Sequence, residues 1–149
     1  MIIRKLADME KIDVGKPFGL PDGMFVIQWI ISNQVGDERY RHRYAVRKYT
    51  LQPGLPLEMM PLHNHAYIQS PVVLKGTMIF QNGDGETIEV GPGDTVYFYE
   101  NEKHKGVVKG NEPVELLCII DCPGDGTDCI PDIPKNAMVE KLKEFKGCG

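Results

Sequence analysis

The sequence predicts an all-β fold, a small sandwich or barrel of short antiparallel strands, followed by one short C-terminal α-helix. Three observations predict it. Short apolar or alternating segments recur through the middle of the chain, glycine-bearing turns separate them at close spacing, and an apolar period of helical length appears only near the end.

The first predicted strand is Met24-Phe25-Val26-Ile27-Gln28-Trp29-Ile30-Ile31, a nearly continuous apolar run of the kind buried on at least one side. Tyr44 to Leu51 alternates and is closed by Pro53-Gly54. Val72-Val73-Leu74, Gly76, Thr77-Met78-Ile79-Phe80, a turn at Asn82-Gly83-Asp84-Gly85, and Thr87-Ile88-Glu89-Val90 then read as a meander. Gly91-Pro92-Gly93-Asp94 makes the next tight turn, after which Thr95 to Tyr99, Lys105 to Lys109 and Val114 to Ile120 supply three further strands. Near the end, Met138, Val139, Leu142 and Phe145 share one helical face, lysines fill the last turn and Gly147 stops it. Cys122 to Pro134, rich in Pro, Gly and Asp, is the linker-like segment.

A chain of 149 residues, 42% apolar and 26% charged, is sized for one domain with its own core. The expected division is a single domain over 1–149, with a barrel core at about 24–120 and a cysteine-bearing tail plus helix at 121–149. A net charge of -4 gives no general attraction to nucleic acid or anionic lipid. The basic cluster Arg39, Arg41, Arg43, Arg47 and Lys48 reads as a solvated strand face. No apolar run reaches the length of a membrane span and the N-terminus lacks a secretory pattern, so the expected location is cytoplasmic, with neither membrane nor nucleic acid as partner. In a reducing compartment Cys118, within an apolar strand, is expected to fill the core. Cys122, Cys129 and Cys148 are expected to be free thiols, because the gap between the first two does not match a zinc knuckle.

His63-Asn64-His65, followed 39 residues later by His104, carries the chemistry. Two imidazoles at i and i+2 of an extended segment point to one face, so both can reach one ion. In these segments the chain resembles a cupin, a double-stranded β-helix or jelly-roll barrel with a metal site in its mouth. The resemblance runs from Pro53-Gly54 to Ile120. It rests on His63-Asn64-His65 with Gln69 and Val72-Val73-Leu74-Lys75-Gly76, and on Gly93-Asp94 preceding His104.

The resemblance implies one divalent transition metal per chain, held by His63, His65 and His104, with Gln69 at the position of the family's glutamate ligand. Gln69 keeps an oxygen donor but removes a negative charge, so the ion's charge would be uncompensated and the site would favour an anion. Such a nitrogen-rich set suits Fe(II), Ni(II), Cu(II) or Zn(II) over Mg or Ca. Gln is a ligand in the phosphomannose isomerase branch of the family. In cupins similar to the β-diketone-cleaving and thiol dioxygenases a three-histidine face stands alone, and the sequence leaves both arrangements open.

Leu55 to Leu62 is three residues longer than the family's usual spacing, which predicts a bulge or loop at the rim. Tyr99, Asn101 and Val108 replace a proline, a glycine and an asparagine of the pattern; asparagine tolerates the left-handed backbone that glycine serves. Glu58 is the nearest acidic candidate for proton work but reads as a solvated carboxylate. Tyr67, Tyr97 and Tyr99 read as packing aromatics, Met59, Met60 and Met78 as core fillers, and His42 as solvent-facing.

Two classes of function follow. The first is a metal-dependent enzyme acting on a small anionic or enolisable organic substrate, with a dioxygenase leading and a sugar isomerase or epimerase next; the lack of an evident carboxylate base weakens the isomerase. The alternative is a non-enzymatic module that binds a small molecule or metal. The resemblance also implies a homodimer, with the strand Met24 to Ile31 exchanged with, or added to, the neighbouring sheet.

Overall fold

The computed structural model describes residues 3–16, 19–31 and 44–121. Eight strands lie in these segments: β1 (Ile12–Asp13), β2 (Phe25–Ile31), β3 (Tyr44–Leu51), β4 (Gln69–Lys75), β5 (Thr77–Asn82), β6 (Thr87–Val90), β7 (His104–Lys109) and β8 (Val114–Asp121). They form a five-stranded sheet ordered β1-β2-β3-β8-β4 and a three-stranded sheet ordered β6-β5-β7, with antiparallel neighbours throughout. The all-β expectation is met. The C-terminal helix, Cys122, Cys129, Cys148, His42, Arg39, Arg41 and Arg43 lie outside the described residues.

Strand alternation explains the core. In β3, Ala45, Arg47 and Leu51 are buried on one face; opposite them β8 contributes Val114, Leu116, Cys118 and Ile120. On the other side of β8, Pro71 and Val73 of β4 continue the same inward rows, and Gln69 shares their parity. The small sheet closes the core with Met78, Phe80, Val107 and Val108.

Several sequence expectations change. Thr95 to Tyr99 does not form a regular strand: it runs beside β4 through isolated bridges, Val72 to Thr95 and Gln69 to Phe98. The reason lies in Pro71. The carbonyls of Gln69, Pro71 and Val73 all face this segment and accept from Phe98, Val96 and Gly93, and the amides of Gln69 and Val73 donate back, but Pro71 has no N–H to return. The ladder is interrupted at its middle. Because Phe98 turns inward (4% exposed), Tyr97 and Tyr99 turn out, at 48% and 67% exposure, and pack edge-on against each other rather than in the core. Met59 is likewise outside, at 67%, whereas Met60 and Met78 are buried as expected. Met59 lies in a single 3-10 turn, Leu57–Met59, which takes up the extra length between Gly54 and His63.

The two-residue β1 and the 3-10 turn Leu6–Asp8 have no counterpart among the elements expected from the sequence. Gln28 anchors that turn: its Nε2 donates to the carbonyls of Leu6 (3.0 Å) and Met9 (3.2 Å), which also accounts for a buried amide in an apolar strand. Among the described residues no helix is long and apolar enough to cross a membrane.

Candidate metal centre

His63 and His104 are held opposite each other by the backbone. Each donates its amide to the other's carbonyl, His63 to His104 at 3.0 Å and His104 to His63 at 2.8 Å, a closed antiparallel pair that joins the histidine segment to β7. His65, two residues along, rejoins the same side. The ring centroids of His63, His65 and His104 stand 4.7 to 5.2 Å apart, and one ligand nitrogen from each lies within 4.8 Å of the others. The two segments predicted to share an ion are brought together.

Backbone carbonyls set the tautomers. His63 Nδ1 lies 3.1 Å from the Pro61 carbonyl and His104 Nδ1 lies 2.8 Å from the Glu102 carbonyl. A carbonyl can only accept, so Nδ1 carries the proton in both rings and each neutral ring keeps its lone pair on Nε2. Glu102 is placed for this by a tight turn: its carboxylate accepts from the Tyr99 amide at 2.9 Å, and its own amide donates to the Tyr99 carbonyl at 3.2 Å. Asn101, in the middle of the turn, adopts φ 62°, the left-handed backbone for which asparagine substitutes for glycine, and its amide donates to the His65 carbonyl at 2.6 Å.

Aromatic rings fix the orientation. Phe98 stacks on His104 at 4.0 Å with an angle of 12°, and Tyr67, 1% exposed, stacks on His65 at 4.8 Å and 29°. Of the three tyrosines, Tyr67 alone packs inside.

The electrostatics favour neutral donors. Burial lowers the pKa of His63, with the Pro61 hydrogen bond opposing it. Burial and then the proximity of His63 lower His104 to about 4. Burial, followed by His63, His104 and the Arg47 guanidinium, pushes His65 well below the ordinary imidazole range. All three imidazoles are therefore uncharged at neutral pH, the form that binds a metal.

The residues present fit such an ion. His104 Nε2, His65 Nδ1 and Gln69 Oε1 are buried without a hydrogen-bond partner, three acceptor-capable atoms of the kind that proteins rarely leave unsatisfied unless a ligand completes them. No carboxylate or thiolate joins the trio among the described residues, so the donor set is neutral. Glu58 is exposed on the 3-10 turn, as a solvated carboxylate would be.

One residue of the site was misplaced by the sequence reading. Arg47, assigned to a solvated basic face, is 4% exposed and points into the core. Its inward parity with Ala45 and Leu51 was the signal, hidden by the run of charges around it.

The Cupin domain family matches residues 48–120 of the chain. Among solved structures, the polyketide cyclase RemF from Streptomyces resistomycificus is similar with a TM-score of 0.62 at 20% identity, covering 96% of this chain and 93% of that one. The Fe(II) form of HppE has a TM-score of 0.62 at 15% identity, and the match covers 80% of this chain and 60% of that one. Hydroxypropylphosphonic acid epoxidase from S. wedmorenis has a TM-score of 0.61 at 15% identity, covering 80% and 58% respectively. This chain thus spans less than two thirds of the length of the last two, and at such identities the likeness is one of fold. No curated protein is similar in sequence at a significant level.

Proposed function

The chain belongs to the cupin superfamily, and we propose that within it this protein is a metal-dependent enzyme acting on a small anionic or enolisable organic substrate, an iron-using dioxygenase in the first instance. The observation that carries this reading is the convergence of three neutral imidazoles, with acceptor atoms of His65, His104 and Gln69 buried and unpaired. A bound divalent ion would supply a Lewis-acidic centre and, if it were iron, redox chemistry with dioxygen.

The chain's own residues have separate tasks. His63 and His104 would hold the ion through Nε2, since their Nδ1 protons are committed to backbone carbonyls; His65 would complete the face, and Gln69 would add an uncharged oxygen. Phe98 stacks on His104 and Tyr67 on His65, which keeps these imidazoles in place. With no carboxylate among the donors, the charge of the ion is left for the substrate to balance, which supports an anionic substrate.

An isomerase or epimerase needs a group that moves protons. Among the described residues no carboxylate stands with the histidines, which supports an oxidative reaction over a proton-transfer one. The solved structures similar in fold include a cyclase and an epoxidase, so a barrel of this fold serves more than one reaction.

The reading includes a homodimer. In it the strand Met24 to Ile31 is exchanged with, or added to, the neighbouring sheet; on that side of the sheet the edge strand is the short β1. Light scattering at micromolar concentration distinguishes dimer from monomer.

The test of function is oxygen uptake by anaerobically reconstituted Fe(II) protein supplied with a panel of small enolisable acids. Substrate-dependent uptake, abolished in His63→Ala, is the expected result. Ligands that bind and are returned unchanged, with no uptake by the Fe(II), Ni(II) or Cu(II) forms, would establish the non-enzymatic binding module instead.

A further inference from the structure

Arg47 sits on the inward face of β3 in a cross-strand row, Trp29 of β2, Arg47, Cys118 of β8 and Pro71 of β4. All four are buried. An arginine in that position has lost its water and needs compensation. Among the described residues no carboxylate forms an ion pair with it. Its Nη2 donates to Cys118 Sγ at 3.5 Å, a long contact to a weak acceptor, and its Nε is buried without a partner. Burial pushes the Cys118 thiol up, so that sulfur is neutral and does not balance the charge.

Two rings partly compensate. The guanidinium carbon lies 5.2 Å from the Trp29 ring centroid and 5.4 Å from that of Tyr49. Cation–π contacts of this kind offset only part of what removing a lone charge from water costs. The balance leaves a buried cation in deficit near the metal centre: the next inward row along the sheet, Ala45, Ile120 and Gln69, ends on a residue of that centre, and Tyr67 of the histidine segment stacks on His65.

We propose that Arg47 is a substrate-binding residue that pairs with an oxyanion group, carboxylate or phosphonate, of a small acid whose other end reaches the three-histidine centre. Trp29 and Tyr49 flank the guanidinium, whose planar fork offers the donors that a two-oxygen anion accepts. The inference rests on the metal-centre reading above and narrows its substrate class: one anionic group for the cation and a second oxygen donor for the ion. A simple monoanion that only ligates the ion makes no use of Arg47.

The test uses full-length protein loaded with Co(II), whose visible spectrum reports ligand exchange, titrated with malonate and separately with azide. Arg47→Met and Arg47→Gln remove the charge and Arg47→Lys retains it, so a variant that folds is at hand even if the most apolar one does not. Metal content and thermal midpoint are recorded for each. The expected result is a loss of malonate affinity of about 10- to 100-fold in the uncharged variants, the range for a charge-assisted pair, a smaller loss in Arg47→Lys, and azide binding unchanged throughout. Malonate affinity within about twofold of wild type in Arg47→Met or Arg47→Gln, with azide still binding, would overturn the role of Arg47 and leave the metal centre standing. Failure of the wild type to take up Co(II) would instead refute the metal centre, and calorimetry with malonate on the same variants would then decide Arg47 by itself.

Discussion

Gly106, on β7, faces Phe80 across the small sheet. A Cβ at Gly106 would stand 2.6 and 2.7 Å from two carbons of the Phe80 ring and 3.2 Å from Met78 Cε. Carbon atoms settle at about 3.5–4.0 Å, so Gly106→Ala must drive the ring back by roughly 1 Å. Phe80 has little room, because it packs edge-on against Phe98 at 5.4 Å, and Phe98 lies stacked on His104. Overpacking of this kind costs about 1–3 kcal/mol. Replacing a strand glycine by alanine returns about 0.5–1 kcal/mol, which leaves a net loss of up to about 2.5 kcal/mol. The displacement runs along Phe80 and Phe98 to a metal ligand, so metal affinity should fall with stability. Urea unfolding and metal titration of Gly106→Ala measure both, and repeating them in a Phe80→Leu background isolates the cause. With the ring gone the alanine should cost almost nothing; an equal cost in both backgrounds would refute the steric path from Gly106 to His104.

Three further outcomes are expected. In metal-free protein the unfolded histidines titrate near 6.5 and the folded His104 near 4, so the unfolded state takes up protons first; stability is intact above pH 6.5 and falls as pH drops toward 4, by roughly 3 kcal/mol from His104, with His63 and His65 acting in the same direction. Urea midpoints at pH 7 and 4.5 check it, and a His104→Gln variant with the same acid loss as wild type would contradict the assignment. Gln69→Glu should raise affinity for divalent ions and Gln69→Leu lower it, read by competition with a chelator; affinities unchanged in both would remove Gln69 from the site. Asn101→Val should cost about 1–2 kcal/mol at its left-handed backbone and Asn101→Gly almost none in urea unfolding, and an equal effect of the two would show that the backbone angle is not what matters there.

The histidines were legible because spacing and strand geometry act together. His63 and His65 needed only an extended backbone to share a face, and the turn before β7 had the residues to bring His104 opposite. Asn101 was legible too, since few residues accept its backbone angle. Strand β3 announced itself by alternation and β8 by its apolar run. What escaped was tertiary. The break at Pro71 depends on which edge of β4 its missing N–H faces, and that is fixed only when Thr95 to Tyr99 packs beside it. Arg47 escaped for a different reason: residue type suggested solvent while parity pointed inward, and burial of a charge is decided by the rings and ligands around it. Met59 followed a helix-like turn that apolar character alone did not predict.

The central claim, that His63, His65 and His104 form a metal centre, is tested most directly by metal analysis of untagged protein purified anaerobically without chelators, beside a variant carrying His63→Ala and His104→Ala. The account predicts near-stoichiometric Fe, Ni, Cu or Zn in the wild type and its loss in the variant. No metal in either protein, and none taken up when supplied, would contradict it.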